Sequence, residues 1–543
     1  MPTMFDFSAH GLSLPGRTPS IPGPGPQTVA DVLELVLRAD PDRPALVGRS
    51  GRLSYGELDA VVNATAGALV DLGVQPFERV AACLPNDLDV IVTMLAVQRL
   101  GGIWVGINRP LAPPEKAYLL SDSGARVMLA VPEVIDELRT CTSELSALRH
   151  LLPVDSTDGG AGSWAARVLS FAGASRPNAG VDSHGPAAIA YTSGTTGSPK
   201  GAVHSHHNLL LPGAVAAATG RYNGCSQGVV LALTMLNMQV LGPLTAFQDG
   251  ARCIAIDEHK PVALAGWIRD EQVQNLCAVP TLLHDLLSHP DIDPADLASL
   301  VLPEVGGAVV PETFRKLYRE RFGKGVSIGY GMTEAPTAVT WSDPEAGVMP
   351  GLCGRPLPQV EIQIRDDAGA LVPPGSVGEI CVAPAASGPF RDTYTPMIGY
   401  WQRPEATAEA LRDGVYHTGD IGLLSEDGNL YLRGRRNELI LRGGANVYPA
   451  EVERILGEHP DVAGSAVLGV EDQRLGERVV AAVELKAGQR ATPQDLIEHV
   501  SGHLARYKVP AQVAIVERLP RNTMGKVVKH QLRPLFQAPG AVS

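Results

Sequence analysis

Between Tyr191 and Gly201 the chain reads Tyr-Thr-Ser-Gly-Thr-Thr-Gly-Ser-Pro-Lys-Gly. Three glycines, Gly194, Gly197 and Gly201, and the hydroxyls of Thr192, Ser193, Thr195 and Thr196 surround one lysine, Lys200. Glycine lets successive backbone N–H groups converge on an anion, and the hydroxyls add donors, so this composition suits a polyphosphate. The spacing departs from the Walker A pattern, because Ser198 and Pro199 separate Gly197 from Lys200. An apolar stretch, Ala187 to Tyr191, leads into the loop, and Asn208 with a leucine-rich segment leaves it. The expected order is therefore strand, loop, helix, the setting in which phosphate loops sit.

Further runs of chemistry-bearing residues follow. Gly306-Gly307-Ala308 and Gly329-Tyr330-Gly331-Met332-Thr333-Glu334 place glycines, an aromatic ring and a carboxylate in order, and Tyr416-His-Thr-Gly-Asp420 lies before Gly434-Arg435. Arg442-Gly443-Gly444-Ala-Asn446 and Leu519-Pro-Arg-Asn-Thr-Met-Gly-Lys526 complete the series. Together these motifs resemble those of the adenylate-forming superfamily, in particular its acyl-CoA synthetase branch, over a span from about Thr28 to Leu535. Such enzymes join a carboxylate to the α-phosphate of ATP, release pyrophosphate, and pass the acyl group to a thiol.

The resemblance implies a role for each matched position. Thr192, Ser193, Gly194, Thr195, Thr196, Gly197 and Lys200 would hold the β- and γ-phosphates. Gly306, Gly307 and Ala308, with Gly329, Tyr330, Gly331, Met332 and Thr333, would sandwich adenine, where glycine admits close approach and Tyr330 offers an aromatic face. Glu334, with Thr195, would hold Mg²⁺, a hard cation that binds through one or two carboxylates plus substrate phosphates. Asp420 would accept hydrogen bonds from the ribose hydroxyls, and Arg435 would reach the nucleotide. Lys526 would be the catalytic lysine, stabilising charge that builds on the α-phosphate in the transition state. Gly443 and Gly444 would line the pantetheine tunnel. Asn437 falls at the hinge, where Asp or Lys is commoner.

The acid is written less clearly. The resemblance places the acyl pocket around Asn237, Met238, Gly307, Gly331 and Ala335. Thr234-Met-Leu-Asn237 stands where many acyl-CoA synthetases have Pro-x-Phe-His, and no aspartate lies between Leu231 and Gln239 to hold an α-ammonium group. The small residues Ala335, Thr337 and Ala338 favour a neutral, hydrophobic, bulky or cyclic acid. Three functions are carried forward. The first is an ATP-dependent acyl-CoA synthetase of carboxylic acid, fatty acid or secondary metabolism. The second is a stand-alone adenylating enzyme that loads a carrier-protein phosphopantetheine or a separate thiolating partner. The third is a non-catalytic nucleotide binder, disfavoured by the intact Thr195, Glu334, Asp420, Arg435 and Lys526.

Positioning these residues calls for several layers. A chain of 543 residues exceeds one ordinary core. Apolar runs at Arg79 to Leu84, Gly102 to Gly106 and Ala125 to Ala130 alternate with helical patterns at Gly56 to Leu72 and Asp89 to Leu100, which predicts parallel sheets covered by helices. After about residue 350, short strands at Val360 to Ile364, Gly378 to Val382 and Gly428 to Leu432 predict an antiparallel, barrel-like unit. The expected fold is α/β: a large N-terminal domain of two parallel-type sheets with helices and a small β-barrel-like subdomain, then a small mobile α+β C-terminal domain. The expected division is an arm over 1–27, an adenylation domain over 28–433, a hinge over 434–442 and the mobile domain over 443–543.

A formal charge of −13 argues against nucleic acid as a partner. Seven scattered cysteines without a C-x-x-C pair fit reduced thiols in the cytoplasm, and no export signal is visible. The apolar window Val229 to Phe247 is broken by Asn237, Gln239 and Gly242-Pro243, so a buried strand and helix are expected there rather than a membrane span. His204, His206 and His207 lack an adjacent acidic or cysteine ligand and are not expected to bind metal. The partners expected are a small carboxylic acid and CoA or a carrier protein, and a homodimer is admitted.

Overall fold

The computed structural model describes residues 5–12, 18–139, 141, 145–155, 160, 162–192, 199–305, 312–323, 325–345, 349, 351–435, 438–442, 445–472, 476–504, 506–522 and 525–536. Contacts divide the chain into two units. One comprises residues 1–348, 353–361 and 382–416, and the other residues 349–352, 362–381 and 417–543.

The first unit holds two parallel-type sheets, as expected. Apolar runs without polar alternation, such as Arg79–Cys83 and Val127–Ala130, are buried along almost their whole length, as strands covered on both faces must be. One sheet runs in the order Gly399–Tyr400, Lys200–Ser205, Pro186–Thr192, Ile103–Gly106, Arg79–Cys83, Val127–Ala130, His150–Pro153. Its last five strands are parallel, and its first three pair antiparallel. The other sheet runs Leu302–Val305, Asn275–Ala278, Gln227–Val229, Cys253–Ala255, Pro44–Gly48, Gly51–Ser54, parallel except for its terminal hairpin. Met128, Ile189, Val203 and Trp401 belong to the core of the first sheet, and Ile254, Leu276, Leu283 and Phe314 to that of the second.

The helices begin where their capping residues dictate. Tyr55–Asp71 opens on a reciprocal pair in which Ser54 Oγ accepts from the Glu57 N–H at 3.2 Å and Glu57 Oε2 accepts from the Ser54 N–H at 2.8 Å. Thr28 behaves otherwise. Its hydroxyl donates to Asp31 Oδ2 at 2.6 Å instead of capping, and the chain after it forms a short 3₁₀ turn, Val29–Asp31, followed by the helix Glu34–Ala39. The apolar window is a strand, Gln227–Val229, then Leu236–Gln239, a π turn over Val240–Leu244, and Thr245–Gln248. Pro243 has no N–H to give to the α-helical ladder, which accounts for the widened turn. Among the described residues no helix is long and apolar enough to cross a membrane.

The N-terminal arm is more firmly held than its Pro/Gly content suggests. The His10 ring stacks on Trp401 at 4.3 Å between centroids, the Gln402 N–H donates to His10 O at 2.9 Å, and Leu12 and Ile21 are buried.

The second unit contains most of the strands Leu430–Arg435, Val415–Leu424, Gly378–Pro384 and Val360–Arg365, which neighbour one another in that order, the first two antiparallel. It also contains a five-stranded sheet, Ala445–Val447, Ile440–Arg442, Gly476–Leu485 and Val462–Asp472, with Gln512–Val516 pairing parallel to Gly476–Leu485. Helices Pro449–Glu458 and Pro493–Ser501 cover this sheet through Val452, Leu456, Leu496 and Val500. This is the α+β arrangement the sequence predicts for its C-terminal part.

Candidate active site

Strands Pro186–Thr192 and Lys200–Ser205 pair antiparallel with Thr192 opposite Lys200, so they close on the glycine-rich loop as a hairpin. The order is strand, loop, strand, helix, and the helix His206–Thr219 starts only after the second strand. Ser193, Gly194, Thr195, Thr196 and Gly197 lie outside the described residues. The hairpin is braced at its base. Tyr191 donates to Asp122 Oδ2 at 2.8 Å, Arg403 Nη2 donates to Asp122 Oδ1 at 2.6 Å, and the Tyr118 hydroxyl donates to Pro199 O at 3.1 Å. Burial, and then the Asp122 carboxylate, raise the Tyr191 hydroxyl far above its usual range, so it remains a neutral donor.

Strand Gly399–Tyr400 lies along the outer edge of Lys200–Ser205 and connects the loop lysine with the magnesium candidate. The Lys200 ammonium stands 5.2 Å from the centre of the Tyr400 ring, whose hydroxyl donates to Glu334 Oε1 at 2.8 Å. The backbone is fixed as well, since the Met397 N–H donates to Glu334 O at 2.8 Å. Tyr394 and Tyr416 also feel the Glu334 charge. Burial first, and Glu334 second, push the hydroxyls of Tyr394, Tyr400 and Tyr416 well above the ordinary phenol value. All three hydroxyls stay protonated, and the one on Tyr400 is the hydrogen-bond donor that orients Glu334.

The segment expected to meet adenine belongs to the same unit. Gly329–Gly331 pairs antiparallel with Ala338–Trp341. A Cβ on Gly331 would run into the Thr337 carbonyl and Ala338, so glycine is required by the close approach. Val305 bridges Ile328, which brings the end of strand Leu302–Val305 beside this segment. The strand is secured by a buried Glu304 that accepts from Arg221 at 2.6 and 2.9 Å and from the Tyr222 hydroxyl at 3.1 Å. Gly306, Gly307 and Ala308 lie beyond it, outside the described residues. Met332 and Thr333 are half-buried.

Of the acyl-pocket candidates, Met238 and Ala335 are buried and Asn237 is half-buried. A cavity of about 10 Å³, room for a single water, is lined by Asn208, Leu211, Ala335, Thr337, Gln359 and Tyr394. Tyr394 Oη and Gln359 Oε1 are buried with no hydrogen-bond partner among the described residues, as an ordered water there would explain.

The histidines are structural. Burial pushes His204 and His206 down to about 4, and His206 Nδ1 accepts from the Val29 N–H at 3.3 Å, while His207 Nε2 lies 2.6 Å from Thr393 O. Both depressed groups give stability that is full above the unfolded value near 6.5 and is lost as pH falls toward 4, because only the unfolded chain takes up protons in that window. Each contributes on the order of 3 kcal/mol across that interval. Thermal midpoints measured from pH 7 to pH 4 should therefore fall, and His206→Gln should flatten the slope below pH 6.5. An unchanged slope in that variant would contradict the assignment.

The second unit holds the remaining candidates. Asp420 sits on Val415–Leu424 opposite Arg435, is 9% exposed, and its N–H donates to Thr418 Oγ1 at 3.0 Å. Gly443 and Gly444 lie between Arg442 and Ala445, which are cross-strand partners, and both glycines are outside the described residues, as is Asn437. Lys526 is exposed at the end of a turn that Asn522 closes: Asn522 Oδ1 accepts from the Lys526 N–H at 3.0 Å, and the Asn522 N–H donates to Lys526 O at 2.8 Å. Leu519, packed with Leu468, Leu532 and Phe536, roots the turn in a core. Lys529, three residues on, bridges Glu438 and Glu453 at 2.8 Å each. Burial opposes its charge, but the two carboxylates outweigh it and raise the ammonium above its usual value.

Sequence reasoning missed Tyr394, Tyr400 and Lys529. A Gly-Tyr-Trp run at 399–401 was the only local mark of Tyr400.

Residues 33–391 match the family model for AMP-binding enzyme, and residues 451–526 match that for AMP-binding enzyme C-terminal domain. The feruloyl-CoA synthase of an Amycolatopsis species is 34% identical over 502 residues, covering 92% of this chain and 97% of its own. The fatty acid–[acyl-carrier-protein] ligase ScoC of Streptomyces coeruleorubidus is 30% identical over 523 residues, with 95% and 98% covered. Among solved structures, ATP-bound MatB from Rhodopseudomonas palustris superimposes with a TM-score of 0.82 at 29% identity, over 93% of this chain and 99% of that one.

Proposed function

The chain belongs to the AMP-binding enzyme family, and from that premise we propose that it activates a hydrophobic carboxylic acid with ATP and transfers the acyl group to CoA. In the first step the carboxylate oxygen bonds the α-phosphorus and the bond to pyrophosphate breaks. In the second, the thiolate sulfur bonds the acyl carbon and AMP leaves with the electron pair. The observation that carries the reading is the Lys200, Tyr400, Glu334 line, a cation and an oriented carboxylate on one aromatic residue at the exit of the phosphate hairpin.

Glu334, a hard oxygen donor oriented by a neutral phenol, fits a magnesium ligand. Mg²⁺ held by Glu334 would supply positive charge to offset that of the phosphates. Thr195 is assigned beside it. Thr192, Ser193, Gly194, Thr196, Gly197 and Lys200 take the β- and γ-phosphates, Tyr330 and the two glycine segments take adenine, and Asp420 and Arg435 take the ribose side. Lys526 stabilises the charge that develops on the α-phosphate. Asn437 is assigned to a hinge between the adenylation domain and the C-terminal domain, and Gly443 and Gly444 to the path of the pantetheine arm. This reading keeps the enzyme in the cytoplasm.

Neutral small residues around Ala335 support the hydrophobic acid, as does the likeness to a feruloyl-CoA synthase. The likeness to ScoC supports the second acceptor, a carrier-protein phosphopantetheine. One assay separates the readings: the protein is incubated with ATP, Mg²⁺ and a panel of aromatic, cyclic, aliphatic and amino acids, and AMP and thioester are measured with CoA or with a phosphopantetheinylated carrier. Multiple turnovers with CoA and an apolar acid are expected. Turnover only with carrier protein would favour the second acceptor, and turnover confined to amino acids would overturn the pocket assignment.

A further inference from the structure

Glu379, Cys381 and His417 are the group of metal-capable side chains that lie together among the described residues. Strand Gly378–Pro384 puts Glu379 and Cys381 two residues apart on one face, and His417 comes from Val415–Leu424. The hydrogen bonding describes a tether rather than a metal cage. His417 Nδ1 lies 2.9 Å from Glu379 Oε2 and 3.4 Å from Cys381 Sγ. The second carboxylate oxygen, Glu379 Oε1, accepts from the Gly419 N–H at 3.2 Å. One step along, Thr418 Oγ1 donates to Ile380 O at 2.7 Å and accepts from the Asp420 N–H at 3.0 Å.

Every residue between His417 and Asp420 is thus tied to the strand that carries Glu379 or to a neighbour already tied to it. Gly419 takes φ +71°, a left-handed conformation that would relax if its N–H lost its acceptor. The Glu379 and His417 side chains are 8% and 7% exposed, so water competes little for these bonds.

We infer that Glu379 is a positioning residue for Asp420: its carboxylate, spanning His417 and Gly419, fixes the turn that aims Asp420 and so sets the enzyme's discrimination for the ribose hydroxyls of ATP. This rests on the reading of Asp420 as the ribose ligand given above. Glu379 touches no substrate in this account. Its effect on nucleotide choice passes through Asp420.

The test compares KM for ATP and for 2′,3′-dideoxyATP in adenylate formation by the wild-type protein, Glu379→Ala, Glu379→Gln, Asp420→Asn and the Glu379→Ala/Asp420→Asn double variant, each checked for an intact thermal transition. Asp420→Asn should lower the discrimination about tenfold or more, and Glu379→Ala about fivefold. Glu379→Gln, whose amide nitrogen cannot accept the second bond, should fall between wild type and Glu379→Ala. The double variant should match Asp420→Asn within about twofold, because residues acting through one contact do not add. A general loss of stability would lower kcat without moving the ratio of the two KM values.

If Asp420→Asn loses discrimination while both folded Glu379 variants keep it, the inference is wrong. If Asp420→Asn itself keeps it, the ribose reading of Asp420 fails first and takes the inference with it. One equivalent of zinc in the purified protein, lost on Cys381→Ser, would also overturn it, since the three side chains would then be metal ligands and not a hydrogen-bonded tether.

Discussion

Lys526→Ala is expected to slow acyl-adenylate formation by about 10²- to 10³-fold while leaving ATP affinity and thermal stability nearly unchanged. The attacking carboxylate and the α-phosphate are both anionic, so charge accumulates on phosphate oxygens as the new bond forms. An ammonium placed there stabilises the transition state more than the ground state. Two unit charges about 4 Å apart interact by roughly 1 kcal/mol in water but about 4 kcal/mol at an effective dielectric of 20, which is the scale of a 10²- to 10³-fold effect. The side chain is exposed on a turn that Asn522 closes through backbone groups of residue 526 and that Leu519 roots in a core. Truncation beyond Cβ disturbs none of these contacts, so the unfolding midpoint should hold. Lys526→Arg should recover only part of the activity, since a planar guanidinium does not reproduce a compact ammonium. Single-turnover measurement of adenylate separates this loss from slow product release, and near wild-type adenylation in the alanine variant would refute the assignment.

The second large effect is expected at Glu334. Glu334→Gln keeps shape and the bond from Tyr400 but removes the charge, so adenylation should fall by about 10²-fold or more and the Mg²⁺ concentration for half-maximal rate should rise. Tyr400→Phe provides the graded comparison. It keeps the ring beneath Lys200 and removes only the hydroxyl that donates to Glu334 Oε1. One charge-assisted hydrogen bond contributes about 1.5 to 3 kcal/mol, so the loss should be at least about tenfold and should also appear in the Mg²⁺ dependence. A Glu334→Gln enzyme with unchanged Mg²⁺ dependence would remove the carboxylate from the metal's coordination.

How far the sequence announced this arrangement depends on how local each signal is. The parallel strands of the first sheet were legible because Arg79–Cys83 and Val127–Ala130 are largely apolar runs separated by helical patterns. Lys200–Ser205 was not read as a strand up to its loop. Its glycine, alanine and serine give little β preference, and it exists because Pro186–Thr192 holds one edge and Gly399–Tyr400, about 200 residues later, holds the other. Glu334 could be named from its motif, whereas Tyr400, which orients it, comes from 66 residues downstream, and nothing local links the two. The Pro/Gly content of the N-terminal arm gave no sign of how it is held. What anchors it is His10 on Trp401, a contact no local pattern contains. Lys526 was legible as a residue, but the Lys529 bridge to Glu438 and Glu453 was not, because its partners lie over 70 residues away.

The central claim is that this chain forms an acyl-adenylate before any thiol takes part. Exchange of labelled pyrophosphate into ATP, measured with Mg²⁺ and an apolar aromatic or cyclic acid in the complete absence of CoA and carrier protein, reports that step alone. Exchange should require the acid, fall about 10²-fold or more in Lys526→Ala, and need no thiol. Exchange that is absent for every acid, or that appears without one, would contradict it.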